Sequence, residues 1–304
     1  MSEFLRLKEE CGRQHIPCTA NAPLSPYTSF RIGGPAALLL QPQDAAQLAA
    51  AVRLCREGEI PCFILGKGSN LLVDDAGLSR AVILTTGIKY IEKTGENGVR
   101  CGCGVTLSAL CDFAAANALG GLEFAFGIPG TVGGAVFMNA GAYGGEIKDV
   151  LRSCQYLDMQ GNLLELDAAH LDLRYRHSVF AENGGIVLAA EFALVPGDEV
   201  EIRQNMRETM EKRRSKQPLN YPSAGSVFKR PPGQFAAALI EQCGLKGLRV
   251  GGACVSEKHS GFIVNTGGAT AKDVRELISR VREGVQTQTG TLLETEVLFV
   301  SDEI

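Results

Sequence analysis

The residues best suited to chemistry fall in three stretches. The densest is a glycine run, Gly127-Ile128-Pro129-Gly130-Thr131-Val132-Gly133-Gly134-Ala135-Val136-Phe137-Met138-Asn139-Ala140-Gly141-Ala142-Tyr143-Gly144-Gly145-Glu146. A flexible linker would be rich in serine and charge, whereas this run alternates glycine with apolar residues. Such a segment lets backbone come close to another surface and suits bare amides packed against a phosphate. It reads as the wall of a buried cofactor site; the plain alternative is a set of tight turns in a β-rich core. The second stretch is Gly66-Lys67-Gly68-Ser69-Asn70-Leu71-Leu72-Val73. It fails as a Walker A loop, because Pro61 stands where the first Gly belongs and Gly68 where Ser or Thr should bind magnesium. It fails as a dinucleotide fingerprint because position 71 is Leu. What remains is a loop of small residues that can grip phosphate through N–H groups, or a simple β-turn. The third stretch, Arg203 to Arg230, carries eight basic residues against Glu208 and Glu211. That local excess suits an anionic ligand or a solvated helix face.

These stretches need elements to hold them. Residues 1–20 read as a helix broken by Pro23 and Pro26. Tyr27 to Pro35 is a short strand or loop into a turn, and Ala36 to Leu40 a strand. Asp44 caps a helix with Ala45, Leu48, Val52 and Leu54 on its periodic positions. Pro61 to Leu65 is an apolar strand leading into Gly66. Ala81–Leu84 and Val99–Cys101 are strands around the turn Gly95-Glu96-Asn97-Gly98. Thr106 caps a helix through Leu107, Leu110, Phe113 and Ala114, ending near Gly120-Gly121. Strands follow at 153–159, 163–166 and 185–195. Pro196-Gly197-Asp198 marks a boundary, after which Glu199 to Arg214 is a charged helix with Ile202, Met206 and Met210 on one face. Helices at 236–243 and 272–285 and strands at 261–265 and 295–300 give an α+β final part.

Composition narrows the function classes. The 304 residues are 45% hydrophobic and 21% charged, which fits a globular protein with a real core. A net charge of −4 gives no general attraction to nucleic acid or to an anionic membrane. No apolar run is long enough to span a bilayer, and the start lacks the apolar core of a signal peptide. The ten cysteines form no C-x-x-C pair and read as reduced core residues. Cys101-Gly102-Cys103 reads as a strand with both thiols on one face, and no metal site is expected because zinc spacings are absent.

Six separated motifs then agree. They are Gly66–Val73, Gly127–Gly134, Asn139-Ala140-Gly141-Ala142-Tyr143-Gly144, Tyr175-Arg176-His177-Ser178, Ala224-Gly225-Ser226-Val227-Phe228-Lys229 and Leu293-Glu294-Thr295-Glu296-Val297. In this order they resemble the UDP-N-acetylenolpyruvoylglucosamine reductase family, a family of flavoenzymes. The spacing between Glu199 and Ser226 is similar to the shorter type, which lacks an extra substrate loop. The resemblance implies an α+β chain: a two-part FAD-binding module of the vanillyl-alcohol-oxidase (PCMH) type, then an α+β substrate-binding domain. The implied divisions are residues 1–26 as lead-in, 27–87 and 88–196 as FAD-binding subdomains, and 197–304 as the substrate domain.

By resemblance, Arg176 and Glu296 are catalytic and Ser226 is the proton donor. Non-covalent FAD would meet Gly66, Lys67, Gly68, Ser69, Asn70, Gly127, Ile128, Pro129, Gly130, Thr131, Gly133, Gly134, Ala140, Gly141 and Val187. Substrate would meet Tyr143, Tyr175, Arg213, Lys216 and Lys229. His259 either faces it or is a satisfied polar residue near a strand. UDP-N-acetylglucosamine enolpyruvate and NADPH are the implied partners, in the cytoplasm, with a monomer expected. Two positions depart from the family pattern: Arg230 stands where Asn is usual, and Thr295 where Pro is common. A same-fold oxidase passing electrons to oxygen, and a nucleotide-sugar binding protein without catalysis, are the competing readings.

Overall fold

The computed structural model describes residues 3–302; residues 1 and 2 of the expected first helix lie outside them. The chain opens with helix α1 (Glu3–Arg13) and strands β1 (Cys18–Pro23) and β2 (Pro35–Leu40). The first helix is therefore shorter than the expected 1–20, and its last expected residues enter a strand. Next come α2 (Ala45–Glu57), β3 (Cys62–Leu65), β4 (Leu71–Val73), β5 (Leu78–Leu84), β6 (Ile91–Thr94), β7 (Gly98–Gly102), α3 (Leu107–Ala116) and β8 (Leu119–Gly120). The glycine run contributes a short helix α4 (Val132–Phe137) and a two-strand hairpin, β9 (Gly141–Ala142) with β10 (Gly145–Glu146). Then follow β11 (Leu151–Leu157), β12 (Leu163–Asp167), α5 (Phe180–Asn183), β13 (Ile186–Ala193), β14 (Val195–Pro196) and α6 (Glu199–Lys216). The last part holds β15 (Ser223–Ser226), α7 (Ala236–Gln242), β16 (Arg249–Val250), β17 (Ala253–Val255), β18 (Phe262–Asn265), α8 (Ala271–Thr289) and β19 (Leu298–Val300). One sheet runs in the order β1-β2-β5-β3, with β3 and β5 parallel.

Two compact units emerge. The first gathers residues 1–20, 38–67 and 80–212; the second gathers 21–37, 68–79 and 213–304. In the first, an antiparallel sheet of order β12-β11-β13-β7-β6 forms the floor. Helix α4 packs over β13 and β7. The caps expected at Asp44 and Thr106 are present: each side chain accepts from the amide three residues on, in Gln47 and Ala109. On α6, Ile202 and Met206 are buried as their spacing requires. Cys101 and Cys103 are fully buried, and burial pushes both thiols up to about 12; they are core residues, and every cysteine is a free thiol.

The second unit has a sheet of order β15-β18-β17-β16, together with a parallel pair β4–β19. Helix α8 buries Val274, Leu277, Ile278, Val281 and Val285, a three-four spacing that places them on one apolar stripe. Each such side chain contributes roughly 1.5–3 kcal/mol when fully buried. The helix begins on a capping box in which Thr270 Oγ1 accepts from the Asp273 amide and Asp273 accepts from the Thr270 amide. Asp75 accepts from the next two amides, Ala271 and Lys272. The strand expected at 295–300 starts only at Leu298, because Glu296 and Val297 turn their amides to the Val227 carbonyl instead of a neighbouring strand ladder.

Replacing Thr270 by Ala removes one half of the box and should lower stability by about 1 kcal/mol. Urea unfolding would show this as a lower midpoint with unchanged slope; an unchanged midpoint would mean that Asp75 alone caps α8.

Candidate functional site

In the first unit the site begins where β3 ends. A Cβ built on Gly66 would lie 2.9 Å from Thr131 Oγ1. Thr131 stands just before α4, is 2% exposed, and does not cap the helix. Its Oγ1 is buried and has no hydrogen-bond partner among the described residues. A buried hydroxyl left this way costs about 1–3 kcal/mol unless something else meets it.

Part of the glycine run is bonded within the protein and not left as bare amides. Gly130 N–H donates to the Ile128 carbonyl, Val132 N–H to Val105 and Gly133 N–H to Cys103. Gly133 is a close-approach residue: its Cβ would meet Cys103 Cβ at 2.9 Å. The run thus holds α4 down on the strand end and leaves the Thr131 hydroxyl as the unclaimed polar group. Val187 lies buried on β13 beneath α4.

After α4 the chain makes its hairpin. Tyr143 and Gly144 occupy the two-residue turn with φ of +51° and +91°. A turn of this kind favours Asn or Gly at its first position, so the large side chain there is a costly choice; Tyr143 is 46% exposed. Nearby in the same unit, Arg174 and His177 exchange both backbone hydrogen bonds across a second tight turn, with Tyr175 and Arg176 between them. Arg176 has φ of +55° and its guanidinium lies 5.1 Å from the Tyr175 ring centroid. Positive φ at such a residue costs about 1–3 kcal/mol and persists only where the surroundings impose it.

One group in this region went unnoticed in the sequence. Asp172, His177 and Glu182 bring ligand atoms within 4.8 Å of one another. Arg174 already serves these acids: its Nε lies 2.8 Å from Asp172 Oδ1, and a terminal nitrogen 2.9 Å from His177 Nε2. The Arg174 hydrogen bond holds the Asp172 carboxyl below its usual range.

The second unit places Ser226 and Glu296 on adjoining backbone. Ser226 ends β15 beside Phe262 of β18. The next carbonyl, that of Val227, accepts from Glu296 N–H at 2.7 Å. Asn70 Nδ2 donates to the Glu296 carbonyl at 3.1 Å, and Asn70's carbonyl accepts from Leu298. The stretch after Gly66 is thereby bound to the acid's own backbone. Gly68 has φ of +60°, and a Cβ there would meet the Tyr27 carbonyl oxygen at 2.5 Å; Ser69 follows it.

Lys229 pairs with Glu294 at 3.3 Å on the surface, and its amide donates to the Glu294 carbonyl. Arg213 is 5% exposed and Lys216 lies exposed in the last turn of α6. Arg230 stacks at 4.6 Å on Phe235, which gives this departure from the family pattern a local partner. Thr295 bridges Phe228. His259 is half-buried, its Nδ1 accepting from Gly261 N–H at 3.2 Å. Burial pushes its pKa below 6.5.

Comparison with known proteins agrees with these motifs. Residues 36–167 match a family profile described as FAD binding domain. Residues 217–300 match the C-terminal domain of UDP-N-acetylenolpyruvoylglucosamine reductase. Fold and site therefore define an FAD-binding oxidoreductase of α+β class. A protein named UDP-N-acetylenolpyruvoylglucosamine reductase from Lachnoclostridium phytofermentans is 47% identical over 303 residues, 98% of this chain and 97% of that protein. One of the same name from Clostridium novyi is 48% identical over 91% of this chain and 90% of its own. The crystal structure of the Thermus caldophilus reductase superposes with a TM-score of 0.79 at 38% identity, covering 94% of this chain and 99% of that one. The chain belongs to the UDP-N-acetylenolpyruvoylglucosamine reductase family. The residues present fit an FAD: Thr131 offers an unclaimed buried hydroxyl, and Gly66 keeps the space beside it clear.

The depressed pKa of His259 carries a sign. The unfolded chain takes up the proton first as pH falls, so stability is full above about pH 6.5 and is lost as pH drops toward the folded pKa. Comparing urea midpoints at about pH 7.5 and pH 5.8, His259→Gln should reduce the acid loss seen in the wild type. An identical loss in both proteins would exclude His259 as its source.

Proposed function

We propose that the protein reduces the enolpyruvyl group of UDP-N-acetylglucosamine enolpyruvate to give UDP-N-acetylmuramate, with NADPH as electron donor, as a step of peptidoglycan precursor synthesis. The observation that carries this reading is the joining of Ser226 and Glu296 through the Val227 carbonyl. It sets a hydroxyl proton source and a carboxyl group on one rigid piece of backbone. The nucleotide sugar and NADPH are cytoplasmic metabolites by class, and we place the enzyme there as a monomer.

FAD would be held within 27–87 and 88–196, by Gly66, Lys67, Gly68, Ser69 and Asn70, by Gly127 to Gly134 with Thr131 central, and by Ala140, Gly141 and Val187. When bound, it supplies the hydride that no side chain can, recharged by NADPH. The protein's own work concerns the unsaturated acid. Hydride arrival at the β-carbon drives charge onto the substrate carboxylate. Arg176 can meet that charge with paired hydrogen bonds from a planar fork. Its value lies in being fixed beforehand, since a preorganised donor at a developing anion contributes about a hundred- to a thousand-fold in rate. Glu296 can hydrogen-bond the same carboxylate as a donor only in its protonated form. Ser226 Oγ then delivers a proton to the α-carbon. Tyr143, Tyr175, Arg213, Lys216, Lys229 and His259 would bind the nucleotide sugar within 197–304 and at the two exposed turns.

Ser226→Ala separates the two half-reactions. NADPH should still bleach the flavin at the normal rate, while reoxidation by the enolpyruvyl sugar should slow by about a hundred-fold or more. Stopped-flow absorbance follows both steps, and normal reoxidation would remove Ser226 from the mechanism.

A further inference from the structure

The turn that carries Arg176 is fastened at both ends to the chain leaving α4. At its start, the Arg174 carbonyl accepts from Asn139 Nδ2 at 3.1 Å. Just past its end, Ser178 Oγ donates to the Phe137 carbonyl at 2.7 Å. Ser178 is fully buried and Asn139 is 1% exposed. Tyr175, Arg176 and His177 are the residues that stand between these two fastenings. Asn139 does more than hold one end. Its Nδ2 also donates to Glu146 Oε2 at 2.9 Å, and its Oδ1 accepts from the Lys148 amide at 3.0 Å. The Lys148 N–H fixes which way round the amide lies, because only the oxygen can accept it. Both protons of Nδ2 and the oxygen are therefore used, and three segments meet on one buried side chain.

Two further facts connect this hub with Arg176. Asn139 itself sits at φ of +41°, one of several non-glycine residues at positive φ grouped here with Tyr143, Asp172 and Arg176. Glu146 is held below the usual carboxylate range chiefly by Lys148 and then by Asn139, with the charge of Arg176 adding in the same direction. The Glu146 carboxylate thus feels the guanidinium whose turn Asn139 holds. A fully satisfied buried network of this kind fixes geometry more firmly than its separate bonds would.

We propose that Asn139 is a positioning residue for Arg176, fixing the 174–177 turn so that the guanidinium is set for the substrate carboxylate before the acid binds. This rests on the reading of Arg176 given above. The loss of Asn139 should fall chiefly on the sugar-dependent step, because the turn is held by Asn139 and Ser178 whereas the start of α4, beside Gly66, is held by the amides of Gly130, Val132 and Gly133.

The test uses the flavin-loaded enzyme and four variants. Asn139→Asp keeps the acceptor facing Lys148 but turns the donor into an oxygen aimed at the Arg174 carbonyl and at Glu146. It should slow reoxidation by the enolpyruvyl sugar at least about tenfold while bleaching by NADPH stays within about twofold. Arg176→Lys should slow the same step, and adding Asn139→Asp to it should cost little more, because the two residues act as one unit. Normal reoxidation in Asn139→Asp, equal loss of both half-reactions, or losses that simply multiply would each overturn the positioning role. Normal reoxidation in Arg176→Lys would instead sink the functional reading beneath it. If Asn139→Asp does not fold, Ser178→Ala releases the other fastening and is judged by the same criteria.

Discussion

The constraint on which the first unit depends is a backbone crossing too close for side chains. Gly133 lies over Cys103 with no room for a Cβ, and its amide is bonded to the Cys103 carbonyl. This contact fixes α4 on the sheet. Thr131 then stands beside Gly66, and Phe137 and Asn139 leave the helix where they catch the turn of Arg176. Glycine in a helix costs roughly 0.5–1 kcal/mol relative to alanine. That loss is acceptable here because the packed interior admits few other shapes. A pair of buried hydrogen bonds, not a long helix or a large apolar patch, sets the cationic turn.

The second unit uses a different device for the same end. Ser226 and Glu296 belong to segments far apart in the chain, yet the Val227 carbonyl receives the Glu296 amide and Asn70 receives the acid's carbonyl. Both residues are tied into place through their backbone. The supporting residues are short and neutral: Asn70, Asn139 and Ser178.

Local signals were readable in the sequence where one side chain settles the local backbone. Asp44 and Thr106 cap the helices they were expected to cap, whereas the Gly95–Gly98 turn joins the strand at Val99 to β6 (Ile91–Thr94) and not to the strand at 81–84, which pairs with β3 in another sheet. The family order of motifs pointed to the FAD module because each motif keeps its neighbours. What escaped was set by contacts between distant segments. The first helix stops at Arg13, and Cys18–Pro23 joins a sheet beside β2. Glu296 precedes its strand because Val227 claims its amide. The glycine run contributes a short helix, and the amides of Gly130, Val132 and Gly133 are used internally, since a string of glycines says that something comes close but not what. Asn139 gave no signal beyond a residue type that tolerates positive φ; only the three segments meeting on it reveal its part. Asp172, His177 and Glu182 were invisible for the same reason.

Gly66 and Thr131 are the residues proposed to bound the FAD site. Flavin-stripped protein titrated with FAD, and followed by the visible spectrum, tests this most directly. The wild type should take up one flavin per chain, and Gly66→Val, whose Cβ would start 2.9 Å from Thr131 Oγ1, should bind it at least about tenfold more weakly. Equal affinities, or a wild-type chain that stays colourless with FAD present, would contradict it.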